Sequence, residues 1–402
     1  MKLVKIPENK YEEYRLNAMF DCYKWDPQFY DSNTVAKYAL VLTQKENKEL
    51  IKLTEDIDKE TRLAEEYINQ NLNHKIANEL KLPKKIYNLL CDMKDYNPDK
   101  NIRLNRYDFH PDVNGKWVVT EVNSDVPGGF AESSLLPDLA RKYIDTNLTF
   151  NSFGDNMANA ITNKVPLGST IMMVHCTCYS DDRQVMQYMG DKLSKLGYNI
   201  IYGAADHINF IDRKAYSILS GNEKEVNLIF RFTPIEWLIS MKPRRWDGYF
   251  NTTASQCNHP IAVYAQTKRF PLVWDTLEKA GIDMSTWKSL LPETKVIKQV
   301  VEYDDYIYKP VYGRVGERIS IKEACKEDEY KKIMRDVKLH KNNYLLQKKF
   351  KSNPIKDEEG NEYHLCLGSY AIDGKHSGFY ARISNVPRID SHAADIPVLI
   401  EK

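Results

Sequence analysis

Apolar residues in the first hundred positions keep a helical period. Leu50, Leu53, Ile57, Ala64 and Ile68 recur at intervals of three, four and seven with charges between them, and residues 8–94 read mainly as helix. Pro83 suits a first helical turn, and Ile86, Leu89, Leu90 and Met93 follow on one side. The acidic and basic residues between 45 and 66 are expected to form a solvated face.

From residue 101 the period changes to two. The runs IRLNRYDF and KWVVTEV flank Asn114-Gly115, a dipeptide suited to a tight type I′ turn, so residues 101–123 are predicted to form a β-hairpin. Between about 150 and 260 strand and helix alternate: STIMMVHC, then the amphipathic DDRQVMQYMGDKLSKLGY, then NIIYGA and VNLIFRF. That alternation predicts parallel βαβ units. The last 140 residues contain a helix over TKRFPLVWDTLEKAG, a strand–glycine loop–strand over 306–321, a strand in NNYLLQKKF, and a hairpin turning at Asp373-Gly374. The expected division is a helical N-terminal layer (1–100), the hairpin region (101–150), an α/β subdomain (151–260) and a C-terminal part (261–402).

Composition narrows the function classes. The 57 basic and 56 acidic residues balance, so no global field draws the chain to nucleic acid or a membrane, and a charged-substrate site must be local. No apolar run approaches the roughly 18 residues of a membrane span, and MKLVKIPENKYEEY lacks a signal-peptide core, so a soluble cytoplasmic protein is expected. Seven scattered cysteines do not resemble a disulfide framework.

Candidate chemistry concentrates in two places. With Asn114 and Gly115 as the loop, Val113 faces Lys116 and the ladder sets Asp108 opposite Glu121 and Arg106 opposite Asn123, all on one face. Two carboxylates and an amide oxygen are hard ligands for Mg²⁺, and the arginine suits phosphate or carboxylate oxygens. A cross-strand salt-bridge ladder is the structural alternative. Pro111, which cannot donate to a ladder, is a candidate bulge. In YIYKPVYGRVGERISI, Gly313 and Gly316 let backbone amides approach a polyphosphate while Lys309 and Arg314 add positive charge; a plain hairpin with a basic edge is the alternative. Asp125 and Glu132, on either side of Pro127-Gly128-Gly129, suit a cationic or amino-bearing substrate, or else capping and loop hydrogen bonds. His175, Cys176 and Cys178 lack a second ligand pair at zinc spacing, so buried strand-end cysteines are expected there. No G-x-G-x-x-G follows the first strand of the α/β region.

The order of motifs resembles the synthetase domain of the glutathionylspermidine synthase family, a circularly permuted ATP-grasp ligase. R-Y-D at 106–108, E-V-N-S-D at 121–125 with Glu132 after it, T-K at 267–268, Y-K-P-V-Y-G-R-V-G at 308–316, Gln347 and G-F-Y-A-R at 378–382 carry the resemblance. It implies an α+β / α/β ATP-grasp fold, with residues 151–260 as the pre-ATP-grasp subdomain. It also implies ATP and two magnesium ions as cofactors. Asp108, Glu121 and Asn123 would hold the metal, and Arg106 and Arg382 would act at the transferring phosphoryl group and the acyl phosphate. Lys268, Lys309, Gly313, Arg314, Gly316 and Gln347 would bind ATP. The implied activity joins a small-molecule or peptide carboxylate to an amine. The amidase activity of some family members is not expected here, and VPGGFA at 126–131 leaves glutathione and spermidine unassigned. A nucleotide-binding protein without turnover is the other reading.

Overall fold

The structure, a computed structural model, describes residues 1–93, 96–242, 246–313 and 316–402. The helical period of the N-terminal region becomes the 28-residue helix Gln44–Asn71. Its start is closed by a capping box: Thr43 Oγ1 accepts from the Glu46 amide at 3.3 Å and Glu46 Oε2 accepts from the Thr43 amide at 2.9 Å. Leu50, Ile57, Ala64 and Ile68 are all fully buried. The helix Lys84–Asp92 begins one residue after Pro83, which serves as its N-cap.

Two expectations about this region change. Strands Lys2–Lys5 and Tyr38–Leu42 pair antiparallel, and Val398–Ile400 joins the second in parallel, so both chain ends share one sheet. The charged residues of the long helix are not all solvated either. Asp58, Glu60 and Glu65 are buried. Asp58 and Glu65 each lie 2.7 Å from the Arg103 guanidinium, while Glu60 accepts from the Thr286 and Trp287 amides and caps the helix Ser285–Leu290. Each carboxylate offsets its desolvation with a charged or multiply hydrogen-bonded partner.

Residues 151–260 contain the expected parallel sheet, in the order Ser255–Cys257, Leu228–Arg231, Thr170–Val174, Asn199–Gly203. Helix Ser180–Lys195 connects the last two strands and stops before Gly197, whose φ of +99° suits a residue without Cβ.

The site rests on an antiparallel sheet. Its order is Ala394–Asp395, Lys375–Ser384, Glu362–Ile372, Leu104–Pro111, Trp117–Asn123. The turn between its two longest strands has Asp373 and Gly374 at φ +48° and +88°, the two positive values of a type I′ turn. Tyr107 and Phe109 enter the same core as Leu50 and Ile57 of the long helix, whereas Arg106, Asp108 and His110 line a cleft on the opposite face.

A smaller sheet, Thr294–Lys295, Tyr344–Lys348 and Tyr306–Pro310, borders that cleft. The strand expected after the glycine loop does not form. Gly316 and Arg318 both take positive φ and turn the chain, leaving Ser320 to bridge Tyr308 by a backbone bond of 3.1 Å and a side-chain bond of 2.8 Å.

Candidate active site

The hairpin carries its face of polar residues in the expected register by an unexpected route. Asp112 pairs with Lys116 (amide to carbonyl, 2.8 Å), so the loop has three residues, with Gly115 alone at positive φ (+73°). Asp112 Oδ1 accepts from the amides of Asn114 and Lys116 and fixes that turn. This loop shifts the ladder by one residue: Pro111 faces Trp117 and Phe109 faces Val119. A bulge at Thr120, not at Pro111, then shifts it back, so Asp108 faces Glu121 and Arg106 faces Asn123. The bulged residue is put to use. Its carbonyl accepts from Lys309 Nζ at 3.1 Å and its hydroxyl contacts His110 Nε2 at 3.2 Å.

Around this face the cleft encloses about 690 Å³ and is lined by Arg106, Asp108, Glu121, Asn123, Lys309, Gln347 and Arg382 among others. Arg106 grips Asp108 through Nε at 2.8 Å and Nη2 at 3.1 Å, donates to the Gly128 carbonyl at 2.9 Å, and stacks 4.9 Å over the Tyr380 ring. Gly368 makes room for it, because a Cβ there would lie 2.7 Å from Arg106 Cδ. Asn123 Nδ2 donates to Asp108 Oδ2 at 3.0 Å. Lys268 Nζ joins Glu121 Oε2 at 3.0 Å to the Gly313 carbonyl at 2.6 Å, and Lys309 Nζ donates to Gln347 Oε1 at 3.1 Å. Three segments distant in sequence thus bring three cations to one carboxylate pair, and Arg382 lines the same cleft.

Electrostatics follow from this crowding. Burial alone would raise the Glu121 carboxyl, but Lys268 and Lys309 outweigh it and hold it at about 2. Burial lowers Lys309 to about 8, with Lys268 adding to the effect and Glu121 opposing it. Glu132 goes the other way, raised to about 7 by burial despite Lys24.

The other residues singled out in the sequence take different places. Gly316 lines the cleft at φ +64°, and a Cβ there would meet the Ile389 carbonyl at 2.2 Å. Gly313 accepts from Lys268 through its carbonyl while its amide donates to the Pro310 carbonyl at 3.4 Å, and Arg314 lies outside the described residues. Glu132 lines the cleft, whereas Asp125 is buried elsewhere, bonded to Arg231 and to the Ile235 amide at 2.7 Å. His175 is buried and its Nδ1 lies 3.2 Å from the Met173 carbonyl, but the cysteines after it are not buried as expected: Cys176 is half-buried and Cys178 exposed. All seven cysteines are free, and among the described residues no three His, Cys, Asp or Glu side chains gather as a metal cluster.

Sequence reasoning missed Lys24, Asp26, Tyr380 and Asp395. Lys24 is 2% exposed and meets Asp26 and Asp395 at 2.6 Å each and Glu132 at 3.5 Å. Tyr380 donates to Asp395 at 2.6 Å. Tyr380 had a local signal, since it lies two residues before Arg382 on the same strand face; the others had none.

Fold and site together define a mixed α/β protein of the ATP-grasp-like class, with a cationic cleft on one face of its antiparallel sheet. The chain belongs to the glutathionylspermidine synthase preATP-grasp family, whose model matches residues 8–401. That membership supports a ligase role. No curated protein matches the chain. One similar solved structure is that of a "Putative gamma-glutamylcysteine synthetase" from Methylobacillus flagellatus KT. The two share 12% identity with a TM-score of 0.43 over 84% of this chain and 86% of that one. No described helix is long and apolar enough to cross a membrane.

Proposed function

We propose that the protein is an ATP-dependent carboxylate–amine ligase that forms an amide through an acyl phosphate. The observation that carries this reading is the convergence of Arg106, Lys268, Lys309 and Arg382 on the face holding Asp108, Glu121 and Asn123. A carboxylate resists attack by an amine because its oxygen leaves poorly, and phosphorylation supplies a leaving group. Such transfer asks a protein mainly for positioning and charge neutralisation.

In this reading Lys268, paired with Glu121, and Lys309 hold the nucleotide phosphates, and Gln347 with the apolar wall of Ile307, Ile319, Ile321 and Phe350 receives the base. Arg106 meets the transferring phosphoryl group, while Arg382 holds the acyl phosphate as the amine attacks. The donor set suits magnesium. Glu121 Oε1 and Asn123 Oδ1 make no hydrogen bond among the described residues, while Asp108, engaged by Arg106 and Asn123 Nδ2, would exchange Arg106 for the metal. Bound there, magnesium would offset the charge on the phosphates.

The test is ADP release from ATP across a panel of small carboxylic acids and primary amines, with amide formation followed by mass spectrometry. Release that requires both an acid and magnesium, with an amide formed when an amine is added, is expected. Wild-type protein whose thermal midpoint does not respond to ATP with magnesium would refute the proposal.

A further inference from the structure

The buried lysine at the end of the cleft is not explained by the roles just described. Lys24 follows helix Tyr11–Asp21 and is held by its amide, which donates to the Ala18 carbonyl at 3.0 Å, while the next amide, of Trp25, donates to Gln184 Oε1 at 2.9 Å. It faces three carboxylates, Asp26 two residues on in its own segment and Glu132 and Asp395 from two other places in the chain. All four residues line the same cleft as Arg382.

Asp395 connects the two cations. Its Oδ2 is 2.6 Å from Lys24 Nζ, and its Oδ1 accepts from Tyr380 at 2.6 Å and lies 3.5 Å from Arg382 Nε. Arg382 also donates through Nη2 to the Ala393 carbonyl at 2.9 Å. Its Nη1 makes no hydrogen bond among the described residues and is available to the cleft. Glu132, 6% exposed at its side chain, keeps Oε2 without a hydrogen-bond partner among the described residues. One ammonium thus serves three carboxylates. Without it, Arg382 would be the nearest cation left, and the cluster would draw it away from the cleft.

We propose that Lys24 is a positioning residue: by satisfying Asp26, Glu132 and Asp395 it keeps Arg382 turned toward the cleft, where Arg382 receives a phosphoryl oxygen. The inference rests on the ligase reading, and its test separates the two. Inorganic phosphate is the probe, added to protein saturated with MgADP, and its affinity is read from the further rise in thermal midpoint. In the wild type MgADP raises the midpoint and phosphate raises it again. Lys24→Met keeps the MgADP rise but binds phosphate at least tenfold more weakly; Lys24→Arg recovers most of that loss. Because Lys24 acts through Arg382, the double variant Lys24→Met/Arg382→Ala binds phosphate no more weakly than Arg382→Ala alone.

Wild-type phosphate affinity in Lys24→Met overturns the inference, as do additive losses in the double variant or a wild type that answers MgADP but not phosphate. If Lys24→Met shows no folding transition, Asp395→Asn decides, since it removes the carboxylate beside Arg382 and leaves Lys24 satisfying the other two; phosphate affinity at or above the wild-type value is expected there, and a tenfold loss overturns the proposal. Absence of any MgADP response in the wild type refutes the ligase reading itself.

Discussion

Replacing Glu121 by glutamine keeps the shape of the side chain and removes the negative charge between Lys268 and Lys309. A carboxyl drawn from 4.5 to about 2 by those two lysines is held ionised by about 3 kcal/mol, at roughly 1.4 kcal/mol per pH unit. Because the folded-state value is depressed, this stability is present above the unfolded value of about 4.5 and is lost as pH falls toward 2. At pH 7 the wild type therefore has all of it and Glu121→Gln none. The side chain is 22% exposed, so water screens part of the interaction and a loss of about 2–3 kcal/mol is expected. Over 402 residues, an unfolding entropy of about 2.1 cal/mol/K per residue converts this to a midpoint about 3 °C lower.

Ligand response gives a second, independent reading of the same substitution. With Glu121 gone, two lysines face the cleft uncompensated, so ATP alone should raise the variant's midpoint more than the wild type's. The additional rise from magnesium should disappear, because a carboxylate ligand is missing. Differential scanning with ATP, magnesium, and both together measures every quantity. An unchanged ligand-free midpoint would refute the charge argument, and an unchanged magnesium increment would remove Glu121 from the metal site.

Four further outcomes are expected. Lys309, lowered to about 8 by burial, loses its charge as pH rises through that value, so MgATP affinity measured by calorimetry should fall above pH 8 by up to about tenfold per unit; a flat profile to pH 9.5 would contradict it. Arg103→Met strands the buried Asp58 and Glu65 and should cost about 3–5 kcal/mol in urea unfolding, with a loss under 1 kcal/mol as the contrary result. Gly316→Ala puts a Cβ 2.2 Å from the Ile389 carbonyl at positive φ; the backbone term alone is about 1–2 kcal/mol, and weaker MgATP binding should accompany it. Arg382→Ala should lower kcat by on the order of 10²–10³ with the fold intact, and an unaltered kcat would exclude it from the reaction.

The parts of this molecule that could be read from sequence are those fixed by local periodicity. The long helix shows its buried stripe at Leu50, Ile57, Ala64 and Ile68, and the hairpin shows its two faces in the alternation of Tyr107 and Phe109 with Arg106 and Asp108. The cross-strand pairs Arg106–Asn123 and Asp108–Glu121 came out as expected only because the three-residue loop and the bulge at Thr120 are equal and opposite shifts. A period of two reports which face a residue occupies, and it is blind to compensating insertions. Burial of charge was illegible for a different reason. Asp58 and Glu65 look solvated along their own helix, and what buries them is Arg103, outside that helix. Lys24, Glu132 and Asp395 extend this to the whole chain, since each has its counter-charge on another segment.

These two kinds of legibility bear differently on function. Residues that would touch metal and phosphate lie on regular strands or beside a glycine loop, where spacing betrays them. Residues that hold those groups in place are recruited from wherever the fold passes close, so no spacing marks them. Substituting Lys24 alters no residue of the nucleotide motifs, yet it changes the net charge around Glu132. Discrimination among amines should accordingly respond to Lys24 and Glu132, whereas nucleotide affinity should follow Lys268, Lys309 and Gln347.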